Sequence, residues 1–169
     1  MIKPALLYKD RLEKKFAEFL YTKEYYFYNG YEVGSMLPNI RQEENLYQYA
    51  IVDNDDNLLG YFSYKVDPLT RSAYGIGAFS FVKGSYIAGR DYQKLIKNLV
   101  KTYHRVTWTV IEGNPAFRSY NRLLNFYRQI PYIKTHLTVL HDTTVDKYGD
   151  YYDEIIYEII NRGNCWNEK

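Results

Sequence analysis

The stretch TWTVIEGNPAFRSYNRLLNFY, Thr107–Tyr127, decides the fold prediction for this chain of 169 residues. The segment 105–112 is rich in β-branched side chains, which predicts a buried strand. Gly113, Asn114 and Pro115 then interrupt that pattern, and apolar residues recur at helical spacing after them. Because Asn114 is a good N-cap and proline suits the first helical position, the stretch predicts a strand that leads directly into a helix.

The segments on either side extend this alternation of strands and helices. Two parallel strands need a crossover connection, so the central strand–helix–strand order predicts a parallel pair flanked by antiparallel hairpins. This order of elements therefore predicts a mixed α/β fold with one central sheet. The predicted elements are a helix in 9–21, loop and short helix over 21–45, a hairpin over 47–67, strands over 73–82, 105–112 and 132–140, helices over 89–103 and 114–127, and a turn and final strand over 146–160.

Composition narrows the class of protein. The length favours one domain over 1–169, with a core over about 5–162 and a tail over 163–169. The single cysteine, Cys165, excludes a disulfide framework and favours a reducing, cytoplasmic compartment. No secretory signal is visible, and no apolar run approaches the ~20 residues that span a bilayer.

Charge and histidine spacing argue against two kinds of site. The net charge is +2 with both signs interspersed along the chain, so we expect no nucleic-acid partner and no membrane association. His104, His136 and His141 lack ligand-like spacing, so we expect no metal site. The 21 tyrosines indicate either compositional drift or a site built from tyrosine side chains.

Three segments carry a resemblance to a known family. The hairpin YAIVDNDDNLLGYFSY, the junction IEGNPAFRSYNRLL and the closing segment DKYGDYYDEIIYEI occur in this order. Together they resemble the GCN5-related N-acetyltransferases, the GNAT superfamily, over about 5–162. The resemblance implies a mixed, mostly antiparallel sheet in which one parallel strand pair splays apart between flanking helices.

The resemblance also implies a binding site for acetyl-CoA. The pantetheine arm would lie between segments 74–82 and 105–112 and bond to backbone like an added strand. The pyrophosphate would lie at the N-terminus of the helix beginning at Gly89, where free N–H groups and the helix dipole favour an anion. The implied cofactor-binding residues are Phe79, Ser80, Phe81, Val82, Lys83, Gly89, Arg90 and Asn114.

The activity implied is direct transfer of an acetyl group from acetyl-CoA to an amine of a small molecule or protein. A tyrosine can protonate the leaving thiolate, and the resemblance assigns that role to Tyr120. Glu112 is the candidate general base. A catalytically inactive GNAT-fold binding protein is the alternative, and a tyrosine-stacking nucleic-acid protein is a weaker third. GNAT proteins are often dimers, which leaves a homodimer open.

Two features depart from the family pattern. The glycines of the phosphate loop are replaced by Ala88, Arg90 and Tyr92, and the tyrosine should crowd the phosphate cradle. Tyr120 follows Asn114 by six residues instead of the usual seven, which places Asn121 in the usual position.

Each candidate also has a purely structural interpretation. Asn114 could serve only as a helix cap, and Tyr120 only as a core residue. Glu112 could be a solvated strand end, and Arg90 a surface arginine.

Overall fold

The computed structural model describes residues 1–19, 38–114, 116–145 and 148–164. These residues form one seven-stranded sheet in the order β1-β2-β3-β4-β5-β7-β6. Three helices of the described residues flank it. The elements are β1 (Ile2–Pro4), α1 (Lys9–Phe19), β2 (Leu46–Val52), β3 (Leu58–Asp67), β4 (Ser72–Ser80), α2 (Tyr86–Thr102), β5 (Arg105–Ile111), α3 (Phe117–Arg128), β6 (Ile133–Val145) and β7 (Tyr151–Asn161).

Strand directions follow from the connections. β2 pairs antiparallel with β3, β3 with β4 and β6 with β7, and in each pair few residues separate the two strands in sequence. The crossover through α2 places β4 and β5 parallel. The mixed sheet with one parallel pair confirms the predicted fold class.

The β2–β3 turn shows why the DNDDN segment forms a hairpin. The Asp53 carboxylate accepts hydrogen bonds from the backbone N–H groups of Asp55 (3.0 Å) and Asn57 (2.8 Å). Asp56 adopts φ 63°, a left-handed conformation that Asp tolerates better than most residues. Its carboxylate also pairs with Arg11 of α1 at 2.7 Å, which ties the first helix to the hairpin.

Both faces of the sheet are packed. On one face, α2 and α3 pack their apolar residues against β3, β5 and β7, with Phe62, Trp108 and Tyr157 in the sheet layer. On the other face, α1 contributes Leu12 and Phe16 to a second core cluster. Neighbouring residues of β3 serve opposite clusters because side chains alternate across a strand.

Element boundaries correct several sequence predictions. The helix predicted from Gly89 begins three residues earlier, at Tyr86, and the helix predicted from Asn114 begins later, at Phe117. β6 runs on to Val145, and the short β1 was not predicted. Most of the predicted loop and short helix over 21–45 lies outside the described residues. The single-domain assignment stays a prediction.

Candidate active site

The most distinctive feature of the sheet is the gap between β4 and β5. The two strands pair only where they begin, at Ser72 with Arg105 and Ala73 with Val106. Beyond these positions, no ladder pair joins them in the described part of the chain, although β4 continues to Ser80 and β5 to Ile111. The expected splayed parallel pair is therefore present.

A β-bulge in β4 gives the divergence a local cause. Opposite β3, the register moves from Ser63–Gly77 to Lys65–Tyr74, so β4 holds one more residue than its partner. The extra residue lies at Gly75, whose φ of +59° is readily available to glycine. A bulge bends and twists its strand, which turns the rest of β4 away from β5. Sequence reasoning missed this bulge, although paired glycines inside a strand are its usual signal.

The direction of the β4 backbone groups follows from the same pairing. The Phe81 N–H donates to the Leu59 carbonyl of β3 at 2.9 Å. Backbone groups alternate in direction along a strand, so Phe79 also faces β3, whereas Ala78 and Ser80 face the gap. Of the four predicted pantetheine contacts on 79–82, Ser80 is thus directed at the gap, and Phe79 and Phe81 are not.

Phe79 and Phe81 instead hold α1 on the sheet. Their rings meet Phe16 edge to face, with centroids 5.2 and 5.4 Å away. Phe79 is buried in the α1 core cluster, and Phe81 packs against it. Both residues therefore have a structural role that accounts for their size.

The N-terminus of α2 lies directly after β4. The Ser85 side chain caps this helix by accepting from the Ala88 N–H at 3.3 Å. The Gly89 N–H already donates to the Ser85 carbonyl at 3.0 Å, as an ordinary helical bond. Because the first N–H groups of a helix have no intrahelical acceptor, the amides of Tyr86 and Ile87 are better placed than Gly89 to bind an anion.

The two predicted phosphate-binding cations have different surroundings. Lys83 is exposed, one residue before Gly84 in the turn that leads to α2. Arg90 directs Nε and one terminal nitrogen at the Asp91 carboxylate, each at 2.9 Å. The Met1 amino group lies 3.0 Å from the other Asp91 oxygen. Burial acts to raise the pKa of Asp91, but these two cations outweigh it and hold the pKa below its usual value.

Tyr92, which was expected to crowd the phosphate cradle, packs against β3. Its hydroxyl donates to the Phe79 carbonyl, and its ring lies 6.2 Å from that of Phe62 on β3. A Cβ at Gly60 would collide with the phenol, so glycine makes room for it there. These contacts place the ring over β3, and the expected crowding of the phosphate cradle stays a prediction.

The β5–α3 junction is organised by Asn114. Its Oδ1 accepts from the Ala116 N–H at 2.8 Å, and its carbonyl accepts from the Phe117 N–H at 2.9 Å. Asn114 is buried, and its own N–H donates to the Ile111 carbonyl at 2.9 Å. The side chain thus holds the turn between the strand and the helix, whatever else it binds.

Tyr120 projects from α3 onto the part of β5 that borders the gap. Its ring lies 5.9 Å from Trp108, two residues beyond the last β4–β5 pair, and 6.0 Å from Tyr157. Trp108 and Tyr157 stack in parallel and are both buried, so Tyr120 packs against a pair of buried aromatic rings. Tyr157 donates to the Asn121 Oδ1 at 2.8 Å, and burial raises the pKa of Tyr157 to about 12. Asn121, which occupies the usual position of the family tyrosine, is therefore hydrogen-bonded to β7. Tyr120 remains the candidate acid.

Two carboxylates lie where β5 ends. Glu112 is exposed, and its N–H donates to the Asp153 carbonyl of the β7 strand at 3.0 Å. Glu154 pairs directly with Ile111 and is 4% exposed. Glu154 was not among the predicted site residues, although it lies in the closing segment DKYGDYYDEIIYEI that resembles the GNAT family. No group of metal-ligating side chains occurs among the described residues, and none of their helices is long and apolar enough to cross a membrane.

Comparisons with known proteins agree with this architecture. No family model and no curated protein sequence matches the chain. Among solved structures, it is similar to an N-acetyltransferase from Staphylococcus aureus Mu50 (TM-score 0.62, 16% identity, covering 95% of this chain and 97% of that one). It is also similar to a probable GNAT-family acetyltransferase from Chromobacterium violaceum ATCC 12472 (TM-score 0.61, 15% identity, 94% and 81%).

A third similar structure, a probable acetyltransferase, has a TM-score of 0.53 at 20% identity; the match covers 71% of this chain and 64% of that one. The chain thus spans less than two thirds of that protein. All three identities are low, so these similarities concern the fold. The chain has the fold of the GNAT acetyltransferases.

Proposed function

We propose that this protein is an acyl-CoA-dependent N-acetyltransferase that moves an acetyl group from acetyl-CoA directly to an amine. The observation that carries the proposal is the gap between β4 and β5, with the backbone groups of Ala78 and Ser80 directed into it. An extended amide-bearing arm can bond to such an edge as an additional strand would.

The residues around the gap fit such a cosubstrate. The pantetheine arm would bond to Ala78 and Ser80, and Val82 continues the same edge. The pyrophosphate would accept from the amides of Tyr86 and Ile87, since the helix dipole also favours an anion there. Lys83 adds positive charge near the pyrophosphate. Arg90 also adds positive charge there, although its guanidinium is paired with Asp91. Phe79, Phe81 and Gly89 leave the proposed set because their backbone N–H groups point to β3 or belong to the helix.

The transfer needs three groups from the protein. The amine nitrogen forms a bond to the thioester carbonyl carbon, and the carbon–sulfur bond breaks. An N–H of the gap edge stabilises the oxygen on which negative charge develops. Tyr120 donates its proton to the departing thiolate. The ordinary pKa of a tyrosine is ~10 and that of a thiol is ~8.5, so this proton transfer requires a local environment that brings the two pKa values together.

The acceptor amine must lose a proton before it attacks. Glu112 and Glu154 both lie at the end of β5, so either could take this proton directly or through water. Glu154 is the more enclosed of the two, which favours a fixed geometry. We propose Glu154 as a second candidate base beside Glu112.

Similar structures suggest acceptors to test. One is a ribosomal-protein-alanine N-acetyltransferase from Brucella melitensis, and another is a chimera of a spermidine N-acetyltransferase from Vibrio cholerae. A panel of polyamines and alanine-terminated peptides therefore covers small-molecule and protein amines.

Binding is tested first by thermal unfolding with acetyl-CoA and desulfo-CoA. Ligand at tenfold its dissociation constant should stabilise the protein by about 1.4 kcal/mol. Absence of any shift at millimolar ligand would refute the transferase proposal and favour the inactive GNAT-fold binding protein.

Turnover is tested by thiol release with the amine panel. We expect Tyr120→Phe to lower kcat by about 10²-fold or more, as for loss of a general acid, while the acetyl-CoA thermal shift is kept. Tyr127→Phe is the matched control, because Tyr127 lies on the same helix and is also packed in the core. Equal kcat in Tyr120→Phe and the parent would remove Tyr120 from the mechanism.

A further inference from the structure

The charges of this protein are distributed unevenly along the chain. Residues 84–134, which include α2 and α3, hold nine Lys or Arg and two Asp or Glu; the other residues hold thirteen and eighteen. The two helices together carry seven cations and one acid, Asp91. Asp91 is 3% exposed and paired with Arg90, so the outer surface of this helix layer is basic.

A groove crosses this basic surface. It has a volume of about 500 Å³ and lies between the C-terminal half of α2, the end of α3 and the start of β6. Lys97 and Lys101 border it, Tyr127 lines its base, and Phe126 and Tyr132 line it while remaining 51% and 55% exposed. We call this feature the basic groove.

The basic groove is separate from the proposed acetyl-CoA site. Lys97 follows Tyr86, the first residue of α2, by eleven positions, which is about 16 Å along a helix. Neither Lys94 nor Lys97 takes part in an ion pair with a described residue, and both are exposed on the outer face of α2. These charges therefore stay available to an external anion.

We propose that the basic groove binds single-stranded nucleic acid, which is a function beyond the proposed acetyl transfer. The lysines can pair with the phosphates of a nucleic-acid backbone, and the exposed aromatic rings beside them can stack on unpaired bases. A recess lined by aromatic side chains suits a flexible strand better than a flat membrane surface. The excess of cations over 84–134 is visible in the sequence, but only folding places residues of α2 and α3 on the same groove.

The test is fluorescence anisotropy of a labelled oligouridine of about twelve nucleotides with the full chain. The logarithm of affinity should fall linearly with the logarithm of KCl concentration, with a slope of about −3 if Lys94, Lys97, Lys101 and Arg128 each meet a phosphate. Lys94→Glu with Lys97→Glu should weaken binding at least about tenfold and make that slope shallower by about 1.4. Lys9→Glu with Lys14→Glu, which makes the same charge change on α1, should leave binding within about twofold.

The aromatic contribution has its own pair of variants. Phe126→Ala should weaken binding about tenfold through lost base stacking. Tyr151→Ala removes a ring that is 65% exposed at the start of β7, outside the basic groove, and should leave binding unchanged.

Three results would overturn the proposal. The first is equal loss of binding in the α1 control and the α2 variant, which would mean that net charge alone attracts the strand. The second is displacement of the oligouridine by millimolar acetyl-CoA, which would place the strand in the cofactor site. The third is binding to duplex DNA or anionic vesicles but not to the oligouridine.

Discussion

Gly60→Ala offers a sharp test of how β3, β4 and α2 are held together. A Cβ at Gly60 would lie 2.6 Å from the Phe79 carbonyl oxygen and 3.0 Å from the Tyr92 Cζ, and would also collide with the Tyr92 hydroxyl. Overpacking of this kind typically costs about 1–3 kcal/mol. The hydrogen bond from Tyr92 to Phe79 would be lost as the ring moves, at about 1 kcal/mol more. We expect Gly60→Ala to lower the free energy of unfolding by about 2–4 kcal/mol.

The same geometry predicts the outcome of a double-mutant cycle. Tyr92→Phe alone removes the hydroxyl and should cost about 1 kcal/mol. In the double variant the Tyr92 hydroxyl, which is the closest obstacle to the new Cβ, is gone. The loss of unfolding free energy in the double variant should therefore be about 1 kcal/mol smaller than the sum of the losses in the two single variants. Some cost persists, because the Phe79 carbonyl oxygen remains 2.6 Å from the Cβ position.

Urea unfolding of the four proteins, followed by circular dichroism, measures the cycle. Additive losses within about 0.3 kcal/mol would refute the claim that the Tyr92 hydroxyl fills the space over Gly60. A near-neutral Gly60→Ala variant would refute the close approach itself.

Two further predictions use α2. Gly89→Ala should raise the free energy of unfolding by about 0.5–1 kcal/mol in a urea titration and keep the acetyl-CoA thermal shift, because a Cβ there meets nothing within 4 Å and the amide is already bonded to Ser85; a lost shift would contradict this. Asp91→Asn should cost about 1–2 kcal/mol at pH 7, since its partners are half exposed. Because the folded pKa of Asp91 is lowered, its contribution to stability is present above the ordinary carboxyl pKa and is lost as pH falls through the folded value. The free energies of unfolding of the parent and the variant should therefore converge in acid. A constant difference down to pH ~2 would disprove the linkage.

Local chemistry made the elements predictable. β-branched runs, amphipathic spacing and the DNDDN turn identified most strands and helices, because each depends on contacts between near neighbours in sequence. Helix starts were less well predicted. Ser85 caps α2 four residues before Gly89, and the Asn114 turn delays α3 to Phe117, since capping depends on which side-chain oxygen reaches an amide.

The candidate site was predictable only in part. Tyr120 and Asn114 lie at the strand–helix junction where the resemblance placed them, and their catalytic and binding roles stay predictions. The directions of the backbone groups on 79–82 depend on pairing with β3, and the gap depends on the bulge at Gly75. Glu154 lies beside Ile111 only because β7 pairs with β5 across a long stretch of chain.

From its sequence alone this protein is determined to be a mixed α/β chain with a central β-α-β unit, because periodicity and turn chemistry are local properties. Tertiary structure decided where β4 leaves β5, that Tyr92 turns onto β3, and that the cations of 84–134 share one helix layer. These features arise from strand register and from the packing of segments that are distant in sequence, and no short stretch of residues determines either of these two causes.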